Sequence, residues 1–132
     1  MKKNIIKSSK SLVEEARKKI SNISPSDALK LHNNDKYLFI DLRDIREIKK
    51  NGKIKNAKHV PRGMLEFWID PDSPYHKDYF SKNFNFIFYC ASSWRSSLGT
   101  LTANNMGLSN VSNLEGGYTK WLEINGPFEI LE

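Results

Sequence analysis

The chain reads as a three-layer α/β domain, a mainly parallel sheet between helices, and three stretches carry that reading. Tyr37 to Leu42 and Asn85 to Tyr89 are runs of apolar, aromatic and β-branched residues in which Asp41 is the sole charge, the composition of strands buried on both faces of a parallel sheet. Helical spacing follows each, Ile45 to Lys50 after the first and Arg95 to Met106 after the second. Asn110 to Leu114 followed by Tyr118 to Ile124 repeats the alternation. With 132 residues, 39% of them hydrophobic, the composition suits a single packed core. Residues 1–30 are expected to form a basic helical extension packed on a domain that spans 31–132.

The elements follow from local chemistry. Ser11-Leu12-Val13-Glu14 has the capping-box pattern and predicts an amphipathic helix from Leu12 to about Ile20. Ser24-Pro25-Ser26-Asp27 predicts a second helix with proline at its first position, running on to Leu31 and ended by Asn33-Asn34-Asp35. Asn51-Gly52 ends the helix after the first strand, Lys58 to Val60 forms a brief strand, and Pro61 and Gly63 mark its exit. Gly63 to Ile69 and Lys77 to Phe80 are short helices separated by the turn-forming Pro71-Asp72-Ser73-Pro74. Met64, Phe67 and Trp68, at positions i, i+3 and i+4, predict a stripe facing the core. Gly107 stops the helix after Tyr89, and Asn125-Gly126-Pro127 closes the last one.

Composition narrows the function classes. No stretch approaches the roughly twenty apolar residues that cross a bilayer, and lysines interrupt residues 1–7 before a signal-peptide core forms. A cytoplasmic protein with no membrane partner is expected. A lone cysteine excludes an intrachain disulfide and a cysteine-built metal site, and His32, His59 and His76 lack ligand spacing, so no metal is expected. The net charge of +6 is uneven: residues 1–20 carry seven Lys and Arg against two Glu, and residues 43–62 carry eight against Asp44 and Glu47. The first cluster reads as a solvated helix face, since no recognisable nucleic-acid module or set of stacking aromatics accompanies it. No nucleic-acid partner is expected. The second cluster, on loops after the strands, would steer an anionic substrate.

The chain's single cysteine, Cys90, stands at the carboxyl end of the Asn85 to Tyr89 strand and just before a helix N-terminus. In open α/β sheets that crevice receives ligands. The free N–H groups and positive dipole end of the helix favour an anion there and would lower the thiol pKa from about 8.5 by one to several units. Ala91, Ser92, Ser93 and Ser96 are small enough for the loop to curl until its N–H groups converge on one centre, a nest for an anion or a persulfide. The alternative is a buried structural cysteine.

Cys90-Ala91-Ser92-Ser93-Trp94-Arg95-Ser96 resembles the loop of the single-domain rhodaneses, C-x-x-G-x-R-S. The resemblance extends to Phe39-Ile40-Asp41-Leu42-Arg43-Asp44, to Glu47 through Ala57, to His59-Val60-Pro61-Arg62-Gly63, and to Leu114-Glu115-Gly116-Gly117-Tyr118 with Trp121. The order is the family's, over residues 37–127. The resemblance implies a rhodanese-like fold and sulfur transfer: a Cys90 persulfide formed from a small-molecule donor such as thiosulfate and passed to a thiol or cyanide, with no cofactor. It implies substrate contacts from Ala91, Ser92, Ser93, Trp94, Arg95, Ser96 and Arg62, with Trp94 walling the entrance and Glu115-Gly116-Gly117 at the rim. Arg95 either contacts the anionic donor or pairs with a carboxylate to hold the loop, and Asp41 and Arg43 are structural. Oligomeric state is left open.

Three departures from the family pattern stand out. Ser93 replaces the usual Gly, which predicts strain of ~1 kcal/mol if that position has positive φ. Lys53 replaces a His and Lys55-Asn56 a Pro-Gly, predicting a different turn before Ala57. The spacing from Cys90 to Arg95 is C-x4-R, shorter than the C-x5-R loop of phosphatases and arsenate reductases of this fold, and so suited to a transferred sulfur rather than a whole phosphate. A non-catalytic rhodanese-like binding module and a phosphatase or arsenate reductase remain the rival readings.

Overall fold

The structure, a computed structural model, describes residues 4–131; Met1, Lys2 and Lys3, which belong to the basic N-terminal cluster, and Glu132 lie outside the described residues. In chain order the elements are α1 (Ser9–Lys19), β1 (Ser21–Ile23), α2 (Pro25–Leu31), β2 (Tyr37–Asp41), α3 (Ile45–Asn51), β3 (Lys53–Ile54), β4 (Lys58–His59), α4 (Leu65–Ile69), β5 (Asn85–Tyr89), α5 (Trp94–Asn105), β6 (Val111–Leu114), α6 (Gly117–Glu123) and β7 (Phe128–Glu129). Single 3-10 turns precede α4 at Arg62–Met64 and β5 at Asp78–Ser81.

The central sheet has the order β1-β6-β5-β2-β4, and every pair in it is parallel. Its middle strand shows why β5 was legible as a run rather than an alternation. Phe86 and Phe88 point into one cluster with Ile40, Leu42, Leu65, Ile69 and Phe80, while Ile87 and Tyr89 point into the other with Phe39, Leu114, Tyr118 and Trp121. Both faces are covered, so both sets of side chains must be apolar. Helices α1, α4 and α5 lie together, and α2 packs with α6. Among the described residues no helix is long and apolar enough to cross a membrane.

Several local expectations are corrected. Helix α1 starts one turn early, because Ser8 caps it by accepting from Ser11 N at 3.0 Å, which leaves Ser11 inside the first turn. Strand β1 has no apolar run to announce it. It lies within the first thirty residues and is an edge strand formed by register with β6, Ser21 to Ser112 through Ile23 to Leu114. The two-residue strands β3 and β7 make an antiparallel ribbon that was likewise not anticipated. The expected stripe Met64, Phe67 and Trp68 is out of phase. Leu65 and Ile69 are the buried pair, Phe67 is 51% exposed, and Met64 and Trp68 are only partly covered. The 3-10 turn at Arg62–Met64, tighter than an α-turn, rotates the helix that follows it.

The carboxyl end of β2 is locked by an ion pair with almost no solvent access. Arg43 is 1% exposed and Asp41 is fully buried. The guanidinium donates to Asp41 Oδ1 at 3.0 Å and Oδ2 at 2.7 Å, donates to the Gly52 carbonyl at 2.7 Å, and lies 4.3 Å from the centre of the Tyr118 ring. Burial opposes its charge, but the Asp41 carboxylate outweighs that and raises the Arg43 pKa. One side chain thus ties β2, the end of α3 and helix α6 together, as the resemblance implies for a structural pair. Arg43→Met is expected to cost about 3–5 kcal/mol in urea unfolding, because it leaves the Asp41 carboxylate buried without a counter-charge. Combining it with Asp41→Asn should recover part of that loss.

Candidate functional site

Strand β5 delivers Cys90 to the floor of the loop, 1% exposed, and α5 begins four residues on at Trp94. Trp94, Arg95 and Ser96 are the first three helical residues, whose N–H groups have no partner within the helix. The Cys90 sulfur takes the place of a capping oxygen. It accepts from Ser96 N at 3.4 Å and lies 3.5 Å from Ser96 Oγ. The N–H groups of Ser92, Ser93, Trp94 and Arg95 find no acceptor among the described residues.

Ser93 occupies the cap position and does not cap. It sits at φ 70°, ψ 2°, so the condition for strain is met: the left-handed conformation costs about 1–2 kcal/mol for an L side chain. A capping serine ordinarily has extended backbone and accepts from the second or third helical N–H. Here the hydroxyl is turned away and accepts instead from Arg17 Nη2 at 2.6 Å.

Beneath the loop a buried polar network runs in one direction. Ser96 Oγ donates to Asn113 Oδ1 at 2.6 Å, and the Asn113 amide donates to Ser97 Oγ at 3.3 Å and Asn22 Oδ1 at 3.1 Å. Ser97 Oγ also accepts from Arg17 Nε at 3.3 Å and donates to the Ser93 carbonyl. Because both amide protons of Asn113 are engaged, its oxygen must face Ser96, and the Ser96 hydroxyl presents a lone pair to the sulfur while it donates to Asn113. From the other side α6 clamps the loop: Tyr118 N donates to the Cys90 carbonyl at 2.8 Å and Thr119 N to that of Ala91 at 3.1 Å. Gly117, at φ 59°, allows this approach, since a Cβ there would stand 2.5 Å from the Cys90 oxygen and 2.8 Å from the Ala91 carbonyl.

Of the two readings of Arg95, the structure shows the carboxylate pair. Its Nη1 and Nη2 donate to the two oxygens of Glu47 at 2.6 and 3.0 Å. Glu47 is itself placed by the capping box of α3, where it accepts from Asp44 N while Asp44 caps the helix. The Arg95 hydrogen bonds hold the Glu47 carboxyl below its ordinary pKa, and Glu47 first, with Cys90 nearby, raises that of Arg95.

Ala91 to Ser96 form the loop and first helical turn that follow Cys90; Ser96 touches the sulfur, and Trp94 is 47% exposed. Arg62 does not join them. It is held by Glu66 at 2.9 Å and Thr102 at 3.2 Å, two turns along α5. With Arg62, half of the basic run 43–62 is engaged, Arg43 with Asp41, Arg46 with Asp44 and Lys53 with Glu129, while Lys49, Lys50, Lys55 and Lys58 are exposed. Arg17 and Asn113 were missed. Arg17 follows buried Val13 by one turn, and Asn113 interrupts a buried strand, so each carried a faint signal. With Asn22, Ser92 and Glu115 they line a polar cleft of about 390 Å³ beside the loop.

The model of the rhodanese-like domain matches residues 24–124, and the chain belongs to that family. A solved structure from Rhodopseudomonas palustris, a protein of unknown function described as a possible tyrosine phosphatase, is 42% identical with a TM-score of 0.94, covering 98% of this chain and 99% of its own. The polysulfide-sulfur transferase homodimer of Wolinella succinogenes is 33% identical with a TM-score of 0.70, covering 93% of this chain and 88% of its own. A rhodanese-related protein of Thermoplasma volcanium, 22% identical with a TM-score of 0.67 over 84% of this chain and 99% of its own, shares the fold. Among curated proteins none matches the sequence.

Two outcomes follow from this geometry. Gly117→Ala should lower stability by more than the ~1–2 kcal/mol of an ordinary left-handed alanine, since the added methyl meets main chain, and should slow alkylation of Cys90 by displacing its carbonyl. Denaturant titration and a timed iodoacetamide reaction measure both effects. The Glu47 carboxyl, lowered from 4.5, contributes stability that is complete above that value and is lost as pH falls through its depressed pKa. NMR titration of the side chain should place its inflection below 4.5, and Arg95→Met should move it back up.

Proposed function

We propose that the protein is a sulfurtransferase that carries a sulfane sulfur on Cys90. The observation that supports this most directly is the row of unpaired N–H groups from Ser92 to Arg95, closed by Ser96 N on the sulfur itself. Preorganised donors of this kind stabilise negative charge on a terminal sulfur one bond beyond Cys90. The thiolate attacks the outer sulfur of thiosulfate, the S–S bond breaks, and sulfite leaves with the bonding electron pair. An acceptor thiolate or cyanide then attacks the terminal sulfur of the persulfide and Cys90 leaves as thiolate, two displacements with no net change at the enzyme. Acceptor thiols are kept reduced in a cytoplasm, where we place the reaction. The polysulfide-sulfur transferase of W. succinogenes, at 33% identity, supports the same class of chemistry.

The loop residues Ala91 to Ser96 are assigned to the donor and the persulfide. Arg95 is assigned mainly to loop shape, since both of its terminal nitrogens are engaged by Glu47, and Arg62 is withdrawn from the donor site by its own partners. The description of the R. palustris relative favours a second reading, phosphatase chemistry. A phosphate would need room in the loop and an arginine free to bind its oxygens. The four-residue spacing between Cys90 and Arg95 and the Glu47 pair oppose both requirements.

Intact-mass measurement after incubation with thiosulfate should show one added sulfur on the wild-type protein and none on Cys90→Ser. The variant should also lose thiosulfate-to-cyanide transfer by roughly a thousand-fold or more. A protein that takes up no sulfur but hydrolyses an aryl phosphate or reduces arsenate would establish the rival chemistry, and one that does none of these would be a binding module.

A further inference from the structure

The loop that surrounds Cys90 is held from outside the residues matched by the family model, which begin at 24. We propose that Arg17, on helix α1, is a positioning residue of this site: its guanidinium draws the Ser93 hydroxyl away from the start of α5 and so keeps the helix N–H groups open to sulfur. The inference rests on the sulfur-transfer reading for its consequence and on geometry for its substance.

Ser93 stands where a serine would normally cap the helix, and a serine hydroxyl there competes for the N–H groups of Arg95 and Ser96. Of those two groups Ser96 N already donates to the sulfur. If Ser93 relaxed to extended backbone, its oxygen would take the place that the sulfur now holds. Arg17 opposes that relaxation at two points of one fork. Nη2 donates to Ser93 Oγ at 2.6 Å, and Nε donates at 3.3 Å to Ser97 Oγ, whose own proton goes to the Ser93 carbonyl. Side chain and main chain of the left-handed residue are therefore both restrained by the same guanidinium, in a buried setting where Ser93 is 3% and Ser97 0% exposed. A planar fork is suited to this work, and a lysine with its single point charge is not. Helix α1 supplies the arginine because Val13 and Ala16, on the same face, are buried in the domain.

The mechanism makes a specific prediction about coupling. Glycine adopts the left-handed conformation without strain and has no hydroxyl to compete for the helix N–H groups. A protein with Gly at position 93 has no use for Arg17 in positioning, whereas an arginine that merely anchors α1 would matter equally in either background.

The experiment compares wild type, Arg17→Met, Ser93→Gly and the double variant by two readouts. One is the single-turnover rate of persulfide formation from thiosulfate, and the other is amide hydrogen exchange over residues 92–97. Arg17→Met is expected to slow persulfide formation by about ten-fold and to slow exchange at Arg95 and Ser96, whose N–H groups the released Ser93 hydroxyl then caps, while the double variant should stay within about two-fold of Ser93→Gly in both. Equal losses from Arg17→Met in both backgrounds, or no loss in either, overturn the proposal. Should Arg17→Met fail to fold, Arg17→Lys retains the charge and stem and is expected to show the same pattern at smaller amplitude; an additive effect there overturns it as well. Absence of any persulfide on the wild-type protein would refute the sulfur-transfer reading, and the exchange measurements would still decide whether Arg17 positions the loop.

Discussion

The guanidinium of Arg43, fully covered and bonded to Asp41, Gly52 and the face of Tyr118, is the constraint on which the site's surroundings depend. It fixes where β2 stops and where α3 ends, and α3 carries the Glu47 that pairs with Arg95. It also seats Tyr118, whose N–H holds the Cys90 carbonyl. His59 adds to the same junction through a bond of 2.6 Å to the Arg43 carbonyl. A buried ion pair adds little net stability over apolar packing, but it is costly to break, and this one gives three elements a single relative placement.

Around that junction the protein solves a problem of competition. The start of α5 offers several N–H groups, and every polar side chain nearby is a rival for them. The one residue placed to cap the helix is left-handed and has its hydroxyl engaged elsewhere, the amide of Asn113 is oriented by two other acceptors, and the Ser96 hydroxyl donates away from the sulfur. The N–H groups are left to Cys90 and whatever it carries. Strain at Ser93 is thus local and is offset by hydrogen bonds made in a partly buried setting, where each is worth more than at the surface.

The loop's length and the state of its arginine distinguish this member of the fold. Arg95 is held bidentately by Glu47, a geometry that stiffens the loop and withdraws the guanidinium from a ligand of phosphate size. The likeness to the R. palustris protein covers nearly the whole chain, including α1 and β1, whereas the family model begins only at residue 24. In this protein α1 and β1 contribute Arg17 and Asn22 to the network around the loop.

Strand β5 was legible to the residue, as was the capped start of α2, because each depends on neighbours in sequence: an apolar run and a Ser-Pro pair. The presence of a thiol between a buried strand and a helix start belonged to the sequence in the same way. Strand β1 did not, since Ser21 to Ile23 become a strand only by pairing with β6, nor did the phase of α4, which is set by the 3-10 turn before it and by the cluster it meets. The partner of Arg95, the turning away of the Ser93 hydroxyl and the convergence of Arg17 and Asn113 were decided by tertiary structure alone. Those contacts join residues up to 91 positions apart, and hydrogen bonds depend on distance and direction in space, which the order of residues along a chain does not contain.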